Sequence, residues 1–114
     1  MHEASIAISL IETVSDLCRQ EGYSSIELVR LKVGRAAGIL PDALLFAFDA
    51  AKAGTIASQA ELHIEYISLG GFCCDCGSQF DSEERYIYAC PACKSRDIKI
   101  TRGSEMQIID MEVN

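Results

Sequence analysis

Cys73-Cys74-Asp75-Cys76 and Cys90-Pro91-Ala92-Cys93 are two Cys-x-x-Cys pairs separated by thirteen residues. Each pair can offer two sulfurs from one tight turn, and a hairpin of this length can bring the two turns together. Four thiolates at tetrahedral positions suit zinc, which imposes no redox chemistry and no d-electron geometry. Within the first pair, the x-x spacing selects Cys73 with Cys76 and leaves Cys74 outside the set. A pair of disulfides would fit an exported chain. Met1-His2-Glu3 has no basic n-region, which predicts no export signal and a reducing cytoplasm.

The opening residues carry donor chemistry of their own. The Met1 α-amine, the His2 amide nitrogen and the His2 imidazole can form two fused chelate rings. Once the amide loses its proton, three strong nitrogen donors lie in one plane, an arrangement that selects nickel(II) or copper(II) over zinc. One equatorial position is left for the Glu3 amide, another group or a receiving protein. Glu61-x-His63-x-Glu65 also offers ligands along one strand face, but it reads first as a solvated strand surface. His2 and His63 are the only histidines, and neither a nucleophile–base pair nor a phosphate loop is visible. The residues do not describe an enzyme.

Charge narrows the partners. The net charge of −7 excludes a general affinity for nucleic acid, which needs clustered Lys and Arg. Residues 1–69 hold nine acids and five bases, residues 70–103 five of each, and residues 104–114 three acids alone. The cysteine segment therefore has no basic face. No apolar run approaches the length of a membrane span.

The elements that must position these residues follow from periodicity. Ala7, Leu10, Ile11, Val14, Leu17 and Cys18 recur at helical steps and predict an amphipathic helix over 4–20, with Cys18 as a buried core thiol. Residues 25–35 read as a strand with Val29, Leu31 and Val33 on one face and Arg30 and Lys32 on the other. Ile26 and Leu28 break that parity, implying a bulge or a start covered on both faces. Pro41 suits the first turn of a second helix that turns Leu44, Leu45, Phe48 and Ala51 inward and closes at Gly54. Glu61 to Ile67 alternates as a strand. Tyr86, Ile87 and Tyr88 read as the returning strand of the cysteine hairpin, and Met106 to Val113 as a final strand that needs a sheet to join. Gly70-Gly71 and Gly103 read as two flexible joints.

The implied fold is α+β: a small three-stranded sheet with two helices, formed by 1–69 plus 104–114, and an inserted rubredoxin-like zinc-ribbon module over 70–103. Spacing alone leaves two other readings open, a rubredoxin-like iron electron carrier and a zinc-ribbon protein-interaction module. Lys94 stands where the second knuckle of an iron site would want Gly, and its presence predicts one lost amide–sulfur approach.

Taken together, Met1-His2-Glu3 opening a helix, the segments Val29 to Gly34 and Leu45 to Thr55, the two cysteine knuckles and the closing strand resemble the hydrogenase maturation nickel metallochaperones (HypA/HybF) over nearly the whole chain. The resemblance implies nickel as transported cargo at His2, with Glu3 supporting, and structural zinc on Cys73, Cys76, Cys90 and Cys93. It further implies delivery to the large-subunit precursor of nickel–iron hydrogenase beside a maturation GTPase of the HypB type, and in some bacteria toward urease. A cytoplasmic monomer or homodimer is expected, with neither nucleic acid nor membrane as partner.

Overall fold

The computed structural model describes residues 2–114. The chain divides into two compact units. One comprises Met1–Leu31, Ile39–Glu65 and Ile108–Asn114, the other Lys32–Gly38 and Tyr66–Gln107.

In the first unit, α1 (Glu3–Gln20) turns Ala7, Leu10, Ile11, Val14 and Cys18 inward. These positions fall on one face at 3.6 residues per turn. The Cys18 thiol is fully buried and donates to the Ser25 carbonyl at 3.7 Å. The second helix, α2 (Pro41–Ala51), begins on Pro41, whose missing N–H is one the first turn would leave unpaired anyway. Its Leu44 and Phe48 are fully buried. Each such side chain contributes about 1.5–3 kcal/mol of transfer free energy.

Three strands form the first sheet, β1 (Ile26–Gly34), β2 (Glu61–Ile67) and β6 (Met106–Val113), in the order β2-β1-β6. Ile26, Leu28, Val29, Leu31 and Val33 are all buried, so β1 is covered on both faces near its start. That accounts for the broken parity. The Asn114 amide donates to the Ser25 carbonyl at 2.9 Å, and Gly34 N–H to the Glu105 carbonyl at 2.8 Å. Opposite ends of the two strands thus meet, and β6 runs antiparallel to β1. Across them Arg30 grips Asp110 with two bonds, Nε to Oδ1 at 2.6 Å and Nη2 to Oδ2 at 3.1 Å.

In the second unit, β3 (Leu69–Cys73) is the central strand between β4 (Gln79–Ser82) and β5 (Ile98–Arg102), both antiparallel to it. Gly71 faces Phe80 on one side and Ile100 on the other. Gly70-Gly71 is therefore not a joint. A Cβ at Gly70 would run into the Arg102 guanidinium, and one at Gly71 into the Lys99 carbonyl. Glycine serves close approach here, beside a register shift between the two residues. Gly103 is equally fixed, its amide donating to Glu105 Oε1 at 2.8 Å and its carbonyl accepting from Ala36 N–H at 2.7 Å.

The returning strand also differs from expectation. Tyr86–Tyr88 is irregular, and β5 takes that place. Both tyrosines are exposed and stacked on each other with centroids 6.1 Å apart. Aromatic content favours a strand, but these residues have no register partner beside β3.

Candidate metal centre

The second unit carries a repeated local device. Cys73 N–H donates to the Ser78 carbonyl at 2.9 Å, and Gly77 N–H to the Cys73 carbonyl at 2.9 Å. Seventeen residues on, Cys90 N–H donates to the Ser95 carbonyl at 2.8 Å, and Lys94 N–H to the Cys90 carbonyl at 2.9 Å. The backbone reverses through a positive φ in both turns, +75° at Gly77 and +67° at Lys94. Lysine thus does what glycine does more cheaply. The expected loss of an amide–sulfur approach is overturned. Cys90 Sγ accepts two amides, from Ala92 at 3.3 Å and Cys93 at 3.4 Å, whereas Cys73 Sγ accepts that of Cys76 at 3.4 Å.

The two turns bring the Sγ atoms of Cys73, Cys76, Cys90 and Cys93 within 4.8 Å of one another. Two of these contacts join opposite knuckles, Cys73 to Cys93 at 3.6 Å and Cys76 to Cys90 at 3.7 Å. A zinc–sulfur bond of about 2.3 Å implies a tetrahedral edge of about 3.8 Å, so these sulfurs fit such an ion. Cys73 and Cys90 are buried, and Cys76 and Cys93 exposed. Their protonation is uneven. Hydrogen bonds from Ser78, side chain and then backbone, draw Cys76 down to about 6. Cys93 is pushed up to about 12: the Ser95 backbone pulls it down, but the Cys73 sulfur, desolvation and the remaining sulfurs outweigh that pull. Four thiolates this close need a cation before all can be ionised.

Cys74, one residue into the first turn, lies outside the cluster and is exposed. Its amide donates to the Asp97 carbonyl at 2.8 Å, and Ser95 Oγ bonds Asp75. Ser95 also receives the Asp97 amide at 3.0 Å. Sequence reasoning missed Ser95 and Asp97. The parallel Ser78/Ser95 spacing after each pair was the available signal.

The N-terminal donors lie in the first unit. The Met1 amine falls outside the described residues. His2 is exposed and stands at the N-cap of α1, its carbonyl accepting Ile6 N–H at 3.0 Å. Glu3 Oε2 accepts the Leu40 amide at 3.0 Å, the residue that caps α2. That bond holds the Glu3 carboxyl below the usual carboxylate range. Leu40 was not foreseen, because an apolar side chain gives no hint that its amide holds a carboxylate. Glu61 and His63 pair at 3.0 Å on an exposed face of β2, and among the described residues they join no metal-type cluster.

The whole chain has recognisable relatives. Residues 1–113 match the family model described as "Hydrogenase/urease nickel incorporation, metallochaperone, hypA". The hydrogenase maturation factor HypA of Rhizobium leguminosarum bv. viciae is 43 % identical over 113 residues, covering 99 % of both chains. That of Chlorobium luteolum is 46 % identical over 108 residues, covering 95 % of this chain and 92 % of its own. Among solved structures, the solution structure of the Ni metallochaperone HypA from Helicobacter pylori superposes with a TM-score of 0.69 at 25 % identity, over 99 % of this chain and 97 % of that one. The chain belongs to the HypA family, which is one of metallochaperones for nickel incorporation and not of enzymes.

Proposed function

We propose that this protein carries nickel(II) at its N-terminus, on the Met1 amine and His2 with Glu3 in support, and delivers it to the large-subunit precursor of nickel–iron hydrogenase. A maturation GTPase of the HypB type is its partner, and urease a second destination. The observation that carries the reading is the Glu3–Leu40 bond. It anchors the first turn of α1 on the start of α2 and leaves the exposed His2 free of the protein's own core. Zinc on Cys73, Cys76, Cys90 and Cys93 is structural: when bound, it supplies the folding free energy that a segment with so little buried apolar surface lacks. The division of labour is a nickel-binding domain of 1–69 plus 104–114 and a zinc module of 70–103. No described helix is long and apolar enough to cross a membrane. The cytoplasm, where thiols stay reduced, suits both metals.

Nickel titration of the untagged, zinc-loaded protein and of His2→Ala tests this. One tight site is expected in the native protein and none in the variant, with zinc content equal in both. Equal nickel affinity in the two would refute the N-terminal site.

A further inference from the structure

Four strands stand at sheet edges, β2 and β6 in the first sheet, β4 and β5 in the second. An edge strand presents unpaired N–H and C=O groups, and proteins blunt it by brevity, charge, proline or a bulge. β4 has only four residues. β5 has five, with Lys99 and Arg102 among them, and a register shift against β3. β2 carries Glu61, His63 and Glu65 along its exposed positions. β6 is different. It is eight residues long, five of them are apolar, and none is buried. Among the described residues, no backbone hydrogen bond joins 106–113 to anything outside the sheet. Its two acids are drawn back onto β1, Asp110 at 2.6 Å and Glu112 at 3.7 Å from the Arg30 guanidinium, and do not guard the free edge.

We propose that the free edge of β6 docks an extended segment of another protein, which joins the sheet as a fourth strand and sets basic side chains opposite Asp110 and Glu112. Alternation dictates the rest of that segment. Gln107, Ile109, Met111 and Val113 share one face of β6, and Met106, Ile108, Asp110 and Glu112 the other. The first face asks for uncharged, mostly apolar neighbours. The second asks for apolar neighbours beside Met106 and Ile108 and cations beside the acids, because one Arg30 spans two carboxylates and leaves a negative charge over. A second copy of β6 is the wrong occupant: residues 104–114 hold three acids and no base. In strand addition, main-chain bonds supply affinity and alternate side chains select the partner. Neither metal site enters the argument.

The probe is the capped peptide Thr-Lys-Ile-Lys-Val-Val-Thr-Thr. Antiparallel to β6, it sets its lysines opposite Glu112 and Asp110. Titrated into the full-length protein and followed by NMR, it should shift the amides of 106–113. Replacing both lysines with glutamate should weaken binding about tenfold, since two attractive cross-strand pairs become repulsive. Only alternate residues of an added strand bond to the edge. Of two peptides N-methylated at odd or at even residues, one should therefore bind and the other not. No shift at millimolar peptide, shifts elsewhere, equal binding of the glutamate form, or the same behaviour of both N-methylated forms would overturn the proposal. So would dimerisation of the protein alone with its 106–113 amides protected, which would give the edge to a second copy.

Discussion

Gly77 and Lys94 occupy equivalent places, each one residue beyond the second cysteine of its pair, with φ of +75° and +67°. Glycine reaches that conformation freely, whereas an L-residue with a side chain pays about 1–2 kcal/mol for it. Nothing lies within 4 Å of a Cβ at Gly77, so the cost of filling that position is conformational alone. Lys94→Gly is expected to stabilise the zinc-loaded protein by about 1 kcal/mol, and Gly77→Ala to destabilise it by a similar amount. Chemical unfolding of the two variants checks both signs; a neutral Lys94→Gly would mean the strain is relieved elsewhere.

Removal of a ligand should act on one unit. Zinc held by the four cysteines would contribute on the order of 10 kcal/mol of folding free energy. Cys76→Ala and Cys93→Ala are therefore expected to lose zinc and the module's ordered amide signals while α1 stays helical. Cys18→Ala and Cys74→Ala should each keep one zinc. Metal analysis with an NMR fingerprint decides, and tight zinc with an unchanged module in Cys76→Ala would sink the assignment.

Glu3 gives a pH dependence with a definite sign. Its carboxyl is depressed in the fold by the Leu40 amide. Such a group contributes stability that is present above its unfolded value, near 4.5, and lost as pH falls through the lower folded value. The Leu40 amide shift should titrate with a midpoint below 4.5 in the native protein, and the same titration should vanish in Glu3→Gln. A midpoint at the ordinary value would show that the bond is not made in solution.

Ending the chain at Gly103 deletes β6 with its Arg30–Asp110 bonds yet removes no proposed metal ligand. The expected result is a lower melting temperature for the proposed nickel-binding domain, with zinc content unchanged. Because exposed ion pairs contribute about 0–1 kcal/mol, most of the loss should come from the missing strand itself. Arg30→Ala separates the two. An unchanged melting temperature on truncation would reduce β6 to an appendage.

One glycine placed before Met1, and retained there, moves histidine to the third position. Amine, two amides and imidazole would then fill all four planar corners around nickel(II), where the site proposed on Met1 and His2 leaves one open. Binding should be at least as tight and transfer to the recipient slower. N-terminal acetylation, which removes the amine donor, should weaken binding itself. Equal transfer rates for the native and glycine forms would show that the recipient enters by another route.

The sequence made the chemistry legible because the knuckles are local. A Cys-x-x-Cys turn needs no distant residue to place two sulfurs side by side. The helices were equally readable from the steps between Ala7 and Cys18 and from Pro41. Misreadings arose where a neighbour in space decided the matter. Gly70-Gly71 carries the composition of a joint, yet Arg102 and the Lys99 carbonyl crowd it from β5, and only a structure brings them there. Tyr86–Tyr88 has strand composition without a strand beside it. Lys94 looked like a defect in the second knuckle, because local preference could not reveal how firmly Cys90 and Ser95 hold that turn.

The position of β6 has a consequence for synthesis. It follows the cysteine module along the chain yet lies beside β1, which precedes the module. A ribosome therefore releases both knuckles before the first sheet can gain its third strand. On the proposed assignment, the order of synthesis presents the four sulfurs of the module ahead of the strand that completes the sheet of the nickel-binding domain.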